Sequence, residues 1–249
     1  MSESDDGRQR WNRLADDWDI QVGDDGDSNR INNSDPVLWN FTGDVAGKCV
    51  LDAGCGTGYL SRKLRERGAR VIGIDISDCM IEIARSKAPD IDFRVASCSS
   101  ISGIPDGTVD LVVSNYVLMD TPDMEEALRE FARVLKTGGI AVLIFSHPCF
   151  PAGASTCSVD EDGAHYHWAQ SYFEQRRGVD PPWNHFKHDF VWYHRPLSDY
   201  WRAFKAAGFE VEDFDEPHAP ANGESAGGEG IVRPFSVAFK LRHAGIRSK

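Results

Sequence analysis

The sequence predicts an α/β fold built on a parallel sheet with helices on both faces. Two observations carry this reading. From residue 48 onward, short apolar runs rich in Val and Ile alternate with amphipathic segments in a strand, turn, helix rhythm. Such continuously apolar strands belong to a sheet buried on both sides. The first of the junctions, VLDAGCGTGYLS at 50–61, is glycine-rich where a strand turns into a helix.

Taken in order, WNRLADDWDI (11–20) sets Trp11, Leu14 and Trp18 on one helical face, and GDDGDSNRINNSDP (23–36) reads as a flexible loop. KCVLDAG is a first strand, LSRKLRERGA a helix, RVIGIDIS a second strand and CMIEIARSKAP a second helix. IDFRVA and VDLVVSNYVLM supply the third and fourth strands. MEEALREFARVLKTGG is an amphipathic helix closed by glycine, and IAVLIFSH is the fifth strand. The rhythm breaks between 148 and 195, where proline, glycine, histidine and aromatic residues collect over a span far longer than an ordinary connection. LSDYWRAFKAAGF (197–209) restores a helix and EVEDFDEP a strand; after a soft GESAGGEG loop, IVRPFSVAFKLR reads as the last strand. Four regions result: an N-terminal helical lid and loop (1–46), a core (47–147), a cap inserted into the sheet domain (148–195), and a C-terminal helix with the final strands (196–249).

A chain of 249 residues buries a substantial core and is short enough for one principal domain. Its formal net charge of -12 weighs against nucleic acid and anionic membrane as partners. No apolar run is long enough to span a bilayer, and MSESDDGRQR has neither the positive start nor the apolar core of a signal peptide, so the expectation is cytoplasmic. The six cysteines, at 49, 55, 79, 98, 149 and 157, fit no close-paired metal motif and are too sparse for a disulfide scaffold.

Gly54, Gly56 and Gly58 let a ligand approach backbone that side chains would obstruct, and the next strand, VIGID, ends at Asp75, where a carboxylate can accept both hydroxyls of a ribose. The competing readings are a tight turn without a ligand and, for Asp75, a helix cap. The loop is not G-x-G-x-x-G and no GK[ST] follows, so phosphate recognition is not demanded. With these motifs the chain resembles a class I S-adenosylmethionine-dependent methyltransferase of the small-molecule, ubiquinone/menaquinone-methyltransferase-like type, most closely over 45–147. The resemblance implies a Rossmann-like, seven-stranded, mostly parallel sheet with a reversed last strand and S-adenosylmethionine lying across the carboxyl ends of the first strands. It implies that Asp52, Gly54, Gly56 and Gly58 surround the methionine part, that Asp75 binds the ribose, and that Ile76 and Met80 flank adenine. The Ala96 to Ser99 segment would pass the adenine edge. There SCSS replaces the family's frequent GDAE, so Cys98, a weak acceptor, stands where an aspartate is common, beside Ser99. Asn115, in NYVLMD after the fourth strand, is a further cofactor contact, or a cap for the next turn. ADDWD occupies the place of an A-x-x-Y-D segment, which implies that Trp18 closes over the methionine end.

Methyl transfer from a sulfonium requires alignment and exclusion of water, which makes a cap expected. Trp168, Trp192 and Tyr193 are among the aromatic residues of 148–195 that would enclose a small-molecule acceptor or, alternatively, form a second small core. His147 ends the fifth strand at the crevice of an open α/β sheet and is the candidate base or substrate polariser, with a turn-setting role as the alternative. Tyr116, Asp120, Tyr193 and His194 are candidates for contacting substrate, and Arg195 for meeting a substrate carboxylate or for an internal ion pair. The HYH and HFKH spacings beside VDEDG permit a metal but lack any specific signature, and no metal ligand is assigned. Rival functions are a protein or RNA methyltransferase, with no NPPY-like stretch at 114–117 to support nucleobase methylation, and a non-catalytic cofactor-binding regulator. Oligomeric state is left open by the sequence.

Overall fold

The computed structural model describes residues 3–150, 155–168, 170–218 and 233–245. Five strands, β1 (Cys49–Ala53), β2 (Arg70–Asp75), β3 (Asp92–Val95), β4 (Val109–Asn115) and β5 (Leu135–Ser146), run parallel. Two hairpins follow, β6 (Ser155–Asp160) with β7 (Gly163–Trp168) and β8 (Arg176–Asp180) with β9 (Phe190–His194). The sheet is completed by β10 (Phe209–Asp215) and β11 (Ser236–His243) in the order β10-β11-β5-β4-β1-β2-β3, with β11 antiparallel to both neighbours. This is the seven-stranded, mostly parallel, Rossmann-like sheet with a reversed last strand.

The alternation of side chains along each strand divides the core between the two faces. Leu51, Ala53, Leu143 and Phe145 pack with α5 (Met124–Val134) and α6 (Leu197–Ala206). Val50, Val142 and Ile144 pack with α2 (Asp35–Thr42), α3 (Tyr59–Glu66) and α4 (Asp78–Lys87) on the other. Phe145 stacks on Tyr200 at 4.3 Å between centroids, which ties α6 to the centre of the sheet. Helix α1 (Glu3–Val22) lies across α4 through polar contacts: Arg8 donates twice to Asp78, and the Ser77 hydroxyl donates to Asn12 Oδ1 at 2.6 Å while capping α4 by accepting from the Met80 amide.

Three expectations are corrected. The helix expected to run to the glycines at 138–139 ends at Val134, because Leu135 already pairs with Val109 and β5 begins there. The segment expected as a loop at 23–36 contains a π-helical turn, Arg30–Ser34, that runs into α2; Asp35 accepts from the buried Tyr59 hydroxyl at 2.6 Å and Ser34 from Asn115 at 3.2 Å. The 148–195 region, for which the sequence showed no periodicity, folds into the two hairpins. The GESAGGEG loop lies outside the described residues. Among the described residues no helix is long and apolar enough to cross a membrane.

Candidate active site

The carboxyl ends of β1, β2 and β4 open into a cleft, and the β1 to α3 turn forms its floor. The Gly54 and Cys55 amides both donate to Ile74 O at 2.8 Å, while the Gly56 amide donates to Asp75 Oδ2 at 3.0 Å. Gly56 has φ of +52° and carries no side chain toward the cleft, where Trp18 of α1 stands over it. Gly58 has a different use from the one expected. A Cβ there would meet Phe93 at 2.9 Å and Ala84 at 3.1 Å, so it permits helix and strand packing and does not border the cleft.

Two carboxylates, Asp52 fully buried and Asp75 partly so, organise this end. Asp52 accepts from the Ser61 hydroxyl at 2.6 Å; burial pushes its carboxyl up to about 7, with the Ser61 hydrogen bond opposing and the charge of Asp75 adding. Asp75 accepts from the Gly56 and Ser77 amides, and burial nevertheless pushes it up to about 6. Ile76, Met80, Cys98 and Ser99 line the far side of the same cleft, and Trp18 and Asn115 its near side. Asn115 Oδ1 is buried without a partner, an acceptor unsatisfied by the protein itself. Cys98 is buried, and burial pushes its thiol far up, so it presents a neutral, weakly polar wall.

A second cavity of about 510 Å³ adjoins the cleft, lined in part by residues of β9. Tyr116, Asp120 and Tyr193 border both spaces, and Trp192, His194 and Arg195 border the second. Tyr116 sits at the end of β4 with φ of +58°, a strained conformation for a bulky residue of the kind found where a side chain must be aimed; its hydroxyl reaches Asn29 Oδ1 at 3.3 Å. Lid and cap meet through rings. Trp11 and Trp18 contact each other edge-on at 5.5 Å, Trp11 reaches Phe190 at 6.3 Å, and Trp18 reaches Phe186 at 6.0 Å. The cap also docks by His185, whose Nε2 donates to Asp17 O at 2.9 Å, and by the Lys187 amide on Asp17 Oδ2.

Four expected site residues take other positions or duties. Trp168 is 40% exposed, packs edge-on against Tyr172 and borders neither space. His147, 2% exposed, has both ring nitrogens engaged: Nδ1 accepts from the Cys149 amide at 3.1 Å, which fixes the proton on Nε2, and Nε2 donates to Glu216 Oε1 at 2.7 Å. Burial draws its pKa below the usual histidine value, with Glu216 opposing. A base needs a free nitrogen, and this ring is used to set the turn after β5. Arg195 spends its guanidinium on the carbonyls of Leu118, Thr121 and Pro122, holding the short helical segment after β4. The His194 Nε2 donates to Tyr172 O at 2.7 Å.

Several cavity residues had no sequence signal. Arg30 pairs with Asp27 at 2.8 Å and places its guanidinium 5.2 Å from the Trp18 ring centroid, from within what reads as polar loop. Asp180 and Tyr200 enter the wall from β8 and α6. Among the described residues no three His, Cys, Asp or Glu side chains gather as a metal site.

The sheet order, the glycine turn and the acidic residue ending β2 match the Rossmann-like fold of the class I S-adenosylmethionine-dependent methyltransferases, to which the chain is similar. Residues 51–143 match the family model of a methyltransferase domain. The chain is 38% identical over 109 residues to a malonyl-[acyl-carrier protein] O-methyltransferase of Hamiltonella defensa, covering 44% of this chain and 41% of that protein. It is 33% identical over 129 residues to a ubiquinone biosynthesis O-methyltransferase of Xanthomonas oryzae, covering 49% and 52% respectively. The matched stretch thus spans about half the length of these curated relatives or less. A solved S-adenosylmethionine-dependent methyltransferase from Mesorhizobium loti superposes with a TM-score of 0.71 at 26% identity, covering 83% of this chain and 96% of that one.

Proposed function

We propose that the chain transfers the methyl group of S-adenosylmethionine to a small-molecule acceptor enclosed beneath the cap, by direct in-line displacement. The observation that supports this reading is that the strand-end cleft and the 510 Å³ aromatic cavity adjoin, with Tyr116, Asp120 and Tyr193 lining both. The protein's own groups fit the cofactor: Asp75 retains lone pairs for two ribose hydroxyls, and the unpartnered Asn115 Oδ1 suits an ammonium. Gly56 leaves room for the methionine part under Trp18. S-adenosylmethionine bound there supplies a sulfonium methyl group, so the reaction needs alignment more than covalent help.

The chain's residues then have distinct tasks. Trp11, Trp18, Phe186 and Phe190 join lid to cap and keep water from the junction of the two spaces. Arg195 holds the Leu118–Asp120 turn, and with it Asp120, at that junction. His147 shapes the strand end and takes no proton in this reading. Calorimetry with S-adenosylhomocysteine and NAD tests the cofactor assignment, which binding of NAD alone would sink. Transfer of labelled methyl to protein or RNA, with none to any compound in a small-molecule extract, would replace the enclosed acceptor by a macromolecular one.

A further inference from the structure

We propose that the acceptor is a basic amine, held as its cation against Asp120 and Asp180 within the aromatic cavity and methylated on nitrogen after Asp120 takes its proton. The inference rests on the function proposed above and adds the chemical class of the acceptor.

Arg30 is neutralised by Asp27 at 2.8 Å, whereas Arg195 donates to backbone carbonyls, which occupy its N–H groups and leave its single charge in the wall. Arg10, on the cofactor side, pairs with Asp6. The imidazoles of His147 and His194 are engaged by Glu216 and by Tyr172 O. Facing the same space is a pair of carboxylates with no ion-pair partner among the described residues, Asp120 from the turn after β4 and Asp180 from β8. The remaining wall is built of rings, among them Trp183, Phe190, Trp192 and Tyr193, whose negative faces attract a cation. A carboxylate or phosphate on the acceptor would meet a net negative wall, since Asp120 and Asp180 outnumber the one charge of Arg195 among the described lining residues whose charge is not already paired.

Position makes Asp120 the proton acceptor, because it alone of the two also borders the cofactor cleft. Burial raises its carboxyl well above the usual range, with Arg10 opposing and Asp180 adding; the charge of a bound ammonium draws it back toward the carboxylate, which can then take the proton. The ammonium gives one proton to the Asp120 carboxylate, and the freed nitrogen pair forms the new bond to the methyl carbon. The carbon–sulfur bond breaks with its electron pair going to sulfur, which becomes a neutral thioether. The product leaves as the methylated ammonium, and Asp120 releases its proton to solvent.

The test uses matched probes and reads binding without the cofactor: phenethylamine, 3-phenylpropionate and phenethyl alcohol, titrated by ligand-observed NMR into the whole chain. Phenethylamine is expected to bind about tenfold tighter than the carboxylate, a difference of 1.4 kcal/mol. In Asp120→Asn and Asp180→Asn the preference is expected to shrink severalfold, with S-adenosylhomocysteine binding retained as proof of folding. Equal or tighter binding of 3-phenylpropionate, or no binding across a panel of arylalkyl amines, overturns the amine assignment. Failure of the wild-type chain to bind S-adenosylhomocysteine would instead overturn the methyltransferase reading on which it rests.

Discussion

The indole Nε1 of Trp18 stands 3.4 Å from the point where a Cβ on Gly56 would lie, so the N-terminal helix sits directly over the glycine turn of the core. A methyl group at that position narrows the cradle under the indole and forces an L residue into a left-handed backbone, a strain of about 1–2 kcal/mol. Gly56→Ala is therefore expected to weaken S-adenosylhomocysteine binding by about tenfold or more, equivalent to 1.4 kcal/mol, while lowering thermal stability only modestly. Calorimetry and a melting curve on the same preparation check both parts. Wild-type affinity in the variant would place the ligand elsewhere.

Asp75 makes cofactor affinity depend on pH. Ionised, it accepts from ligand hydroxyls; protonated, it loses acceptor capacity. With its carboxyl at about 6 in the free protein, affinity is complete above that value and is lost as pH falls through it, by up to about tenfold per unit. Asp75→Asn is expected to bind weakly at every pH. A flat profile in the wild type would separate Asp75 from the ribose.

His147 contributes to stability with a defined sign. Its folded pKa lies below the unfolded value, so the unfolded chain binds the proton more readily, and the contribution present above about 6.5 is lost as pH falls below it. His147→Gln, which keeps a donor for Glu216, is expected to flatten the stability profile between about pH 7 and 5. His147→Ala removes a buried ring and leaves the Cys149 amide without its acceptor, and is expected to cost about 1–3 kcal/mol. With a verified acceptor, His147→Gln is expected to retain most turnover. A hundredfold loss with S-adenosylhomocysteine affinity intact would restore the role of base.

Arg195→Met leaves the carbonyls of Leu118, Thr121 and Pro122 without their charged donor. The expected cost is about 3 kcal/mol, since hydrogen bonds to a charged group are worth about 1.5–3 kcal/mol and buried carbonyls are left unpaired. Arg195→Lys is expected to recover little, because a point charge cannot span diverging carbonyls as the planar fork does. Urea unfolding measures both. Equal stability of the Lys variant and the wild type would remove the clamp.

The core was legible because its signals are local. The strand rhythm and glycine turn at 50–61 require no knowledge of the rest of the chain, and Asp75 sits where β2 must end. Trp18, Asp52, Asp75, Met80 and Asn115 line one cleft at the strand ends. The cap was illegible because its two hairpins are short and one contains polar, exposed stretches, so alternation gives no clean period. Gly58 resembled the other two glycines in sequence and differs only in what packs against it.

Sequence by itself determined the sheet, its helical cover and the glycine turn at the end of β1, since backbone periodicity and steric freedom are properties of neighbouring residues. Tertiary structure alone decided which polar groups are spent and which are free. As letters, His147 was the leading candidate for base, and Arg195 and Asp120 were candidates for contacting substrate. Folding brings Glu216 to the first and three carbonyls to the second, and leaves the third facing the cavity, because hydrogen-bond satisfaction depends on residues distant in the chain.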